Sequence, residues 1–372
     1  MEVIIAAAGT GGHINPGIAI ANIIEQEYPN SDIRFIATGK ALEEDLISNA
    51  GFKTYAIQAY GFSKKITIEN LKRTIKTIHG FKEAKKILKE FNPDIVIGTG
   101  GYICGAVISS AKKLGIPTLL HESNAYPGLA IRMLSKKADT ILVGIKEAKK
   151  GLKGAKRVIY TGTPTKVKPL NITRAKKEKI LKELKINDKL PILLVFGGSQ
   201  GAKRINDTII DIIKNNLNDR YQIVWSTGSV QYDIIKEDLK KDNIDIDKIP
   251  NTRIYPYIYN MDEVMSISDL VVARSGALTL TELALLGKPA IFIPLPSSSA
   301  NRQEDNARVF EKQGAAKIIL NNDVNKDNLN NMINDIILNK DKLKSMSESA
   351  KKLAIYDVNE RILSEIKRLI GK

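Results

Sequence analysis

A short apolar strand running into a glycine-rich loop occurs three times in this chain, at Gly9-Thr10-Gly11-Gly12, Gly98-Thr99-Gly100-Gly101 and Gly197-Gly198-Ser199-Gln200-Gly201. This feature constrains the fold most, because such loops close the carboxyl ends of parallel strands, and the first and third lead directly into helical stretches. Around them, β-branched runs alternate with helical stretches along the whole chain. Strands are predicted near 3–8, 33–37, 53–57, 94–98, 117–121 and 139–143, and again near 191–196, 221–226, 269–273 and 289–293. That alternation predicts an α/β protein made of two doubly wound parallel-sheet domains, and 372 residues exceed what one core usually organises. The boundary is placed after Thr161-Gly162-Thr163-Pro164, where the sheet pattern stops and the charged stretch Arg174 to Lys185 starts a new helix, giving domains 1–165 and 166–346. The segment from Leu343 onward reads as two helices, and residues 347–372 are expected to cross back onto the first domain.

Composition narrows the function classes. No apolar run approaches the roughly 20 residues needed to span a bilayer, and the longest, Pro191 to Phe196 and Pro289 to Leu295, read as buried strands. Met1-Glu2 passes straight into a strand without an export signal, and the single cysteine, Cys104, allows no internal disulfide; both point to the cytoplasm. An excess of 57 Lys+Arg over 41 Asp+Glu leaves a net charge of +16, which attracts polyanions: nucleic acid, anionic lipid or a phosphorylated substrate.

Glycine loops let backbone N–H groups approach an oxyanion, and the following helix adds a favourable partial charge. Two familiar nucleotide folds are excluded by particular residues. In the first loop Ile14 stands where a dinucleotide fingerprint needs its third glycine, and the second strand ends Phe35-Ile36-Ala37-Thr38-Gly39 without a ribose-binding carboxylate. No Gly-Lys-Ser/Thr closes any loop, so a P-loop fails too. His13 follows the first loop and precedes Pro16, which is expected in the first helical turn; its imidazole either takes a proton from an acceptor hydroxyl or simply bonds its own turn. In the second half, Arg274-Ser275-Gly276-Ala277-Leu278-Thr279 follows a strand and opens a helix, offering amides to a diphosphate. Glu282 on that helix either takes two ribose hydroxyls or is a solvated helix glutamate, and Gln303 suits sugar hydroxyls. The one Asp-x-Asp, Asp245-Ile246-Asp247, sits in a lysine-rich polar connection and reads as a solvated linker, so neither a metal nor another cofactor is expected.

Read together with His121-Glu122-Ser123-Asn124 and Tyr102, these motifs resemble, in order over nearly the whole chain, the MurG family of bacterial peptidoglycan N-acetylglucosaminyltransferases. The resemblance implies a GT-B architecture with two Rossmann-like domains facing across a cleft. It implies transfer of GlcNAc with inversion from UDP-GlcNAc to the MurNAc C4 hydroxyl of undecaprenyl-diphosphoryl-MurNAc-pentapeptide (lipid I), giving lipid II, without a bound metal. By motif, His13 corresponds to the general base, and Thr10, Gly11 and Gly12 line the cleft near phosphate. Ser199 stands beside the diphosphate, Ala277, Leu278 and Thr279 hold phosphate and nucleotide, Glu282 binds ribose, Gln303 binds GlcNAc, and Ile258 reads the uracil edge through its backbone. Asn124, Tyr102 and His121 fall on the acceptor side or in the cleft. Two positions depart from the family pattern: Lys166, in Thr163-Pro164-Thr165-Lys166, replaces a junction arginine counted among the substrate-binding residues, and Arg302 precedes the sugar-binding glutamine.

Between Gly61 and Phe91 nine basic residues, among them Lys64, Lys65 and Lys82, accompany Ile68, Leu71, Ile75 and Ile78 on one helical face. The expected partner is an anionic membrane surface, placing the protein on the cytoplasmic face of the cell membrane; a core-facing stripe is the alternative. Two rival functions are a UDP-GlcNAc 2-epimerase of the same fold and an RNA-binding protein. Aromatic residues at 6% are too scarce for the stacking platform the latter needs, so no nucleic acid is expected.

Overall fold

The computed structural model describes residues 1–59, 68–169, 172–198, 200–296 and 301–371, with the backbone alone for 68–75. The chain divides into two compact units: Met1–Lys166 together with Ile355–Lys372, and Val167–Ala354.

The first unit alternates β1 (Glu2–Ala7), α1 (Gly11–Glu27), β2 (Asp32–Ala37), α2 (Ala41–Asn49), β3 (Lys53–Ala56), α3 (Ile68–Phe91), β4 (Ile95–Gly100), α4 (Ile103–Lys113), β5 (Thr118–Glu122), α5 (Leu129–Leu134), β6 (Thr140–Val143) and β7 (Val158–Tyr160). Its seven strands are ordered β3-β2-β1-β4-β5-β6-β7, every neighbouring pair parallel. Central strands are buried on both faces, and their runs of Ile, Val and Ala are what a sheet covered by helices on each side demands. The order reverses direction at β1/β4, the switch point beyond whose carboxyl ends open α/β sheets bind ligands. Both loops at that point are the glycine loops of the sequence.

The second unit holds α6 (Arg174–Glu183), β8 (Ile192–Phe196), α7 (Lys203–Lys214), β9 (Gln222–Ser226), α8 (Ser229–Lys241), β10 (Thr252–Tyr255), α9 (Met261–Ile267), β11 (Leu270–Ala273), α10 (Ala277–Leu286), β12 (Ala290–Phe292), α11 (Arg302–Lys312), β13 (Ala316–Ile318), α12 (Lys326–Ile337) and α13 (Lys340–Lys351). Its six parallel strands run β10-β9-β8-β11-β12-β13, with the switch at β8/β11. A buried cluster built on Trp225, Tyr221 and the isoleucines of α7 and α12 fills one side of this sheet.

The last helix, α14 (Val358–Ile370), belongs to the first unit. Val358, Ile362 and Ile366 join the cluster formed by Val3, Ile5 and the inner face of α1. Arg157 binds Glu365 through two hydrogen bonds of 2.9 and 2.6 Å, and Arg368 Nη2 donates to Thr140 Oγ1 at 2.6 Å. These contacts fix the helix to the sheet edge that β6 and β7 form.

Three strands escaped the sequence reading: β7, β10 and β13. Each is short, lies at a sheet edge and is only partly buried, so it lacks the continuous apolar run that marks the central strands. Pro16 also differs from expectation. Helix α1 starts on the glycine loop itself, at Gly11, which puts Pro16 in the second turn and His13 inside the first. Proline there supplies no N–H to Gly12 O, so the first turn is held by the His13 and Ile14 N–H groups, both donating to Thr10 O (2.9 and 3.2 Å).

Candidate functional site

In the first unit the candidate site is built where β1 and β4 end. Gly9 takes a left-handed φ of +102°, which turns the chain from β1 into α1. Thr10 caps the helix with its backbone only, no acidic residue occupies the first turn, and the amides of Gly11 and Gly12 precede the first intrahelical bond. Such a terminus carries a partial positive charge.

His13 is half-buried. Its Nδ1 lies 3.0 Å from Ala8 O. A carbonyl oxygen only accepts, so Nδ1 carries the proton and Nε2 is left as the basic nitrogen of the neutral ring. The ring therefore bonds its own turn through Nδ1, and none of the described residues hydrogen-bonds Nε2. Thr99 Oγ1 donates to His13 O at 2.7 Å, tying α1 to β4. Gly100 is indispensable to this arrangement: at φ +134°, a Cβ there would sit 2.4 Å from His13 Cδ2. Cys104, beneath the same loop, is buried, donates to Ala6 O and Gly100 O, and has its thiol pushed up to about 12 by burial, which suits packing rather than chemistry.

A residue that sequence reasoning missed holds the loop. Glu43 on α2 is fully buried, and its carboxylate accepts from Gly9 N (2.7 Å), Thr38 N (2.7 Å) and Thr38 Oγ1 (2.8 Å). Three converging donors are the pattern an ionised carboxylate takes. Its only sequence signal is an acidic residue in a first helical turn, indistinguishable from dipole compensation.

On the neighbouring strand β5, His121 is fully buried. Its Nε2–H donates to Gly162 O at 3.2 Å and Nδ1 accepts from Ser123 Oγ at 3.4 Å; burial pulls its pKa down to about 4, so the ring is neutral. Both nitrogens are hydrogen-bonded inside the protein. Glu122 beside it, also buried, accepts from Asn124 N, Asn124 Nδ2 and Gly128 N at 2.7–2.9 Å and so shapes the loop that carries Asn124. Tyr102, by contrast, is 64% exposed at the start of α4, and Lys166 is exposed at the end of the unit.

In the second unit the switch point opens into a cavity of about 460 Å³. Gly197, Gly198 and Gly201 line one side, Gly276 and Thr279 of α10 another, and Gln303 and Asn321 a third. Among the described lining residues are three cations, Lys203, Arg204 and Arg274, and no carboxylate. Lys203 pairs with Asp207 at 2.9 Å. Arg274 has no acid partner among the described residues: its Nη1 donates to Ile293 O, Pro294 O and Asn321 Oδ1, its buried Nε has no partner, and desolvation lowers its pKa to about 10. A half-desolvated guanidinium without a counter-ion favours an anion in that space.

Helix α10 points its N-terminus into the same cavity. Its own bonding begins with Leu280 N–H donating to Gly276 O (3.0 Å), so the amides of Ala277, Leu278 and Thr279 lie before the first intrahelical bond. Buried Ser275 ties this turn to α11 by donating to Gln303 O at 2.7 Å, and Asn306 Nδ2 donates back to Ser275 O at 3.1 Å. Gln303 Oε1 accepts from Leu295 N at 2.9 Å, which leaves the N–H donors of its amide for another partner. The structure therefore brings together Thr279, Gln303 and the α10 amides around one cavity. Glu282 follows one turn along α10, half-buried, and Ile258 is buried in the connection after β10. Ser199 lies outside the described residues, as do Lys64 and Lys65. Asp245 is occupied by Asp247 N–H and Lys248, and among the described residues no group of three His, Cys, Asp or Glu side chains is placed to hold a metal.

The Glycosyltransferase family 28 N-terminal domain matches residues 3–143 and the family's C-terminal domain matches residues 192–362. The chain belongs to glycosyltransferase family 28. Family 28 relatives match it from end to end: the UDP-N-acetylglucosamine--N-acetylmuramyl-(pentapeptide) pyrophosphoryl-undecaprenol N-acetylglucosamine transferase of Ruminiclostridium cellulolyticum is 42% identical over 370 residues, covering 100% of both chains. The crystal structure of Acinetobacter baumannii MurG superposes with a TM-score of 0.76 at 26% identity, covering 99% of this chain and 100% of that one. A UDP-GlcNAc 2-epimerase from Neisseria meningitidis, bound to UDP-GlcNAc, has a TM-score of 0.65 at 16% identity over 99% and 100% of the chains, a likeness of fold alone. The architecture is GT-B, as the sequence implied.

Proposed function

We propose that this family 28 glycosyltransferase transfers GlcNAc from UDP-GlcNAc to the C4 hydroxyl of MurNAc in undecaprenyl-diphosphoryl-MurNAc-pentapeptide, with inversion, releasing UDP and forming lipid II. The observation that carries the donor half is the cavity of the second unit, with its cationic lining and the open N-terminus of α10. A diphosphate there meets Arg274, the amides of Ala277 to Thr279 and the loop glycines Gly197, Gly198 and Gly201, and Ser199 is assigned to it by its motif alone; Glu282 takes the ribose hydroxyls, Gln303 the sugar, and the Ile258 backbone the uracil edge. Those fixed dipoles stabilise charge on the departing diphosphate as the bond from the anomeric carbon to its oxygen breaks and UDP leaves with the electron pair.

The acceptor half is assigned to the first unit. His13 Nε2 takes the C4 hydroxyl proton while that oxygen bonds the anomeric carbon, a contribution of about 10² to 10⁴ in rate. Thr10, Gly11 and Gly12 bring amide donors to a phosphate, and Tyr102, Asn124 and Lys166 supply contacts to the acceptor or the donor phosphates. His121 acts only by holding β5 to Gly162. Exposed Ile78 among the lysines of α3 supports docking of this unit on anionic lipid at the cytoplasmic face of the membrane, and among the described residues no helix is long and apolar enough to cross one.

Incubation with UDP-GlcNAc labelled in the sugar and a lipid I analogue tests the proposal. Label is expected in the lipid product in step with UDP release. Formation of UDP-ManNAc from donor alone, with no label in lipid, overturns it.

A further inference from the structure

The peptide group between Ala8 and Gly9 is held from both ends. Its N–H donates to Glu43 Oε1 at 2.7 Å, and its C=O accepts from His13 Nδ1 at 3.0 Å. One amide thus stands between a buried carboxylate and the imidazole. We propose that Glu43 is a positioning residue for transfer, selecting the tautomer of His13 through the Ala8–Gly9 peptide; this rests on the reading of His13 as the base.

The argument is one of allowed orientations. An ionised carboxylate accepts only, so the peptide must present its N–H to Glu43 and therefore its C=O to His13. A carbonyl facing Nδ1 requires the proton on that nitrogen, which keeps Nε2 as the base. Were the peptide to flip, its N–H would face Nδ1, the proton would move to Nε2, and the ring could no longer accept from a hydroxyl. Gly9 at φ +102° offers little steric resistance to such a flip, so something else must forbid it. Glu43 does so, because a flipped Ala8 C=O would set its oxygen against the lone pairs of a carboxylate that is itself fully buried. The charge also polarises the amide it binds, which strengthens the carbonyl as an acceptor at the other end. Thr38 completes the device: its N–H and hydroxyl both bind Oε2, which leaves Oε1 for Gly9 alone.

The test reads the tautomer directly. In the full chain labelled with ¹⁵N-histidine, ring-nitrogen shifts of His13, assigned against a His13→Gln sample among only three histidines, report which nitrogen is protonated. The parent is expected to hold the Nδ1–H form. Glu43→Gln, which can turn an NH2 group toward the peptide, is expected to populate Nε2–H and to lower kcat at least about 10-fold, with the KM for UDP-GlcNAc within about twofold. Glu43→Asp, which keeps the charge with a shorter reach, should fall between and serves if the glutamine variant does not fold. Parental ring shifts in both folded variants overturn the inference, and so does an altered tautomer with unchanged kcat. Full activity in His13→Ala would instead refute the base assignment, while the ring-shift measurement would still decide what Glu43 does.

Discussion

Acidification should destabilise the first unit through His121 by an amount that follows from its burial. The ring is fully buried and neutral, and its pKa falls from 6.5 to about 4. A base whose folded pKa is depressed binds fewer protons folded than unfolded between those two values, so stability present above pH 6.5 is lost as the pH falls toward 4. At 1.36 kcal/mol per pH unit the full loss is about 3 kcal/mol, of which about 2 kcal/mol is gone by pH 5. Urea unfolding of the whole chain, followed by hydrogen exchange at the β5 and β6 amides, measures this between pH 7 and 4. His121→Gln supplies the comparison, because its amide can still donate toward Gly162 O yet cannot titrate. The variant should start less stable and lose less on acidification, so that the two curves converge. Parallel curves over this range would refute the claim that the neutral, desolvated imidazole is what ties β5 to Gly162.

His13→Ala should lower turnover about 10² to 10⁴-fold with donor KM little changed, and Gly100→Ala should approach it by displacing the ring without removing a polar group; a normal kcat in the latter contradicts the packing at Cδ2. Glu282→Ala should raise the KM for UDP-GlcNAc about 10- to 100-fold, as loss of a charge-assisted hydrogen bond does, with kcat nearly kept. Arg274→Gln should weaken UDP binding in calorimetry, and transfer by the parent should persist in EDTA; chelator-sensitive transfer would show that the cationic lining does not suffice for the leaving group. Flotation should recover the protein with anionic vesicles and not with neutral ones, with release at high salt; equal recovery with both removes the basic face of α3 as the cause.

How much of this was legible in the sequence depended on whether the signal was local. Central strands such as β1 and β8 announce themselves because both faces are buried, and the glycine loops because strand-to-helix turns require them. Edge strands β7, β10 and β13 were invisible for the converse reason. Candidate residues on the glycine turns and on α10 could be named from spacing. Glu43 could not, since its partner Gly9 lies 34 positions away and only the fold brings α2 against that loop. Arg274 was seen merely as the start of a motif; that no described residue offers it an acid partner is a property of three-dimensional surroundings. The surroundings of His121 are likewise a matter of the fold: it stands in a conspicuous motif, but that both nitrogens bond the protein itself depends on Gly162, 41 positions away.

The position of α14 bears on how the protein is made. A ribosome releases the β1–β7 sheet first, yet the hydrophobic strip that Val358, Ile362 and Ile366 cover on it must wait until about 190 intervening residues have been translated. At about 5 to 20 residues per second that delay is roughly 10 to 40 s. A nascent first unit therefore spends that interval with an uncovered greasy flank, and a message truncated before codon 355 would yield a chaperone client or an aggregate instead of a merely slower enzyme.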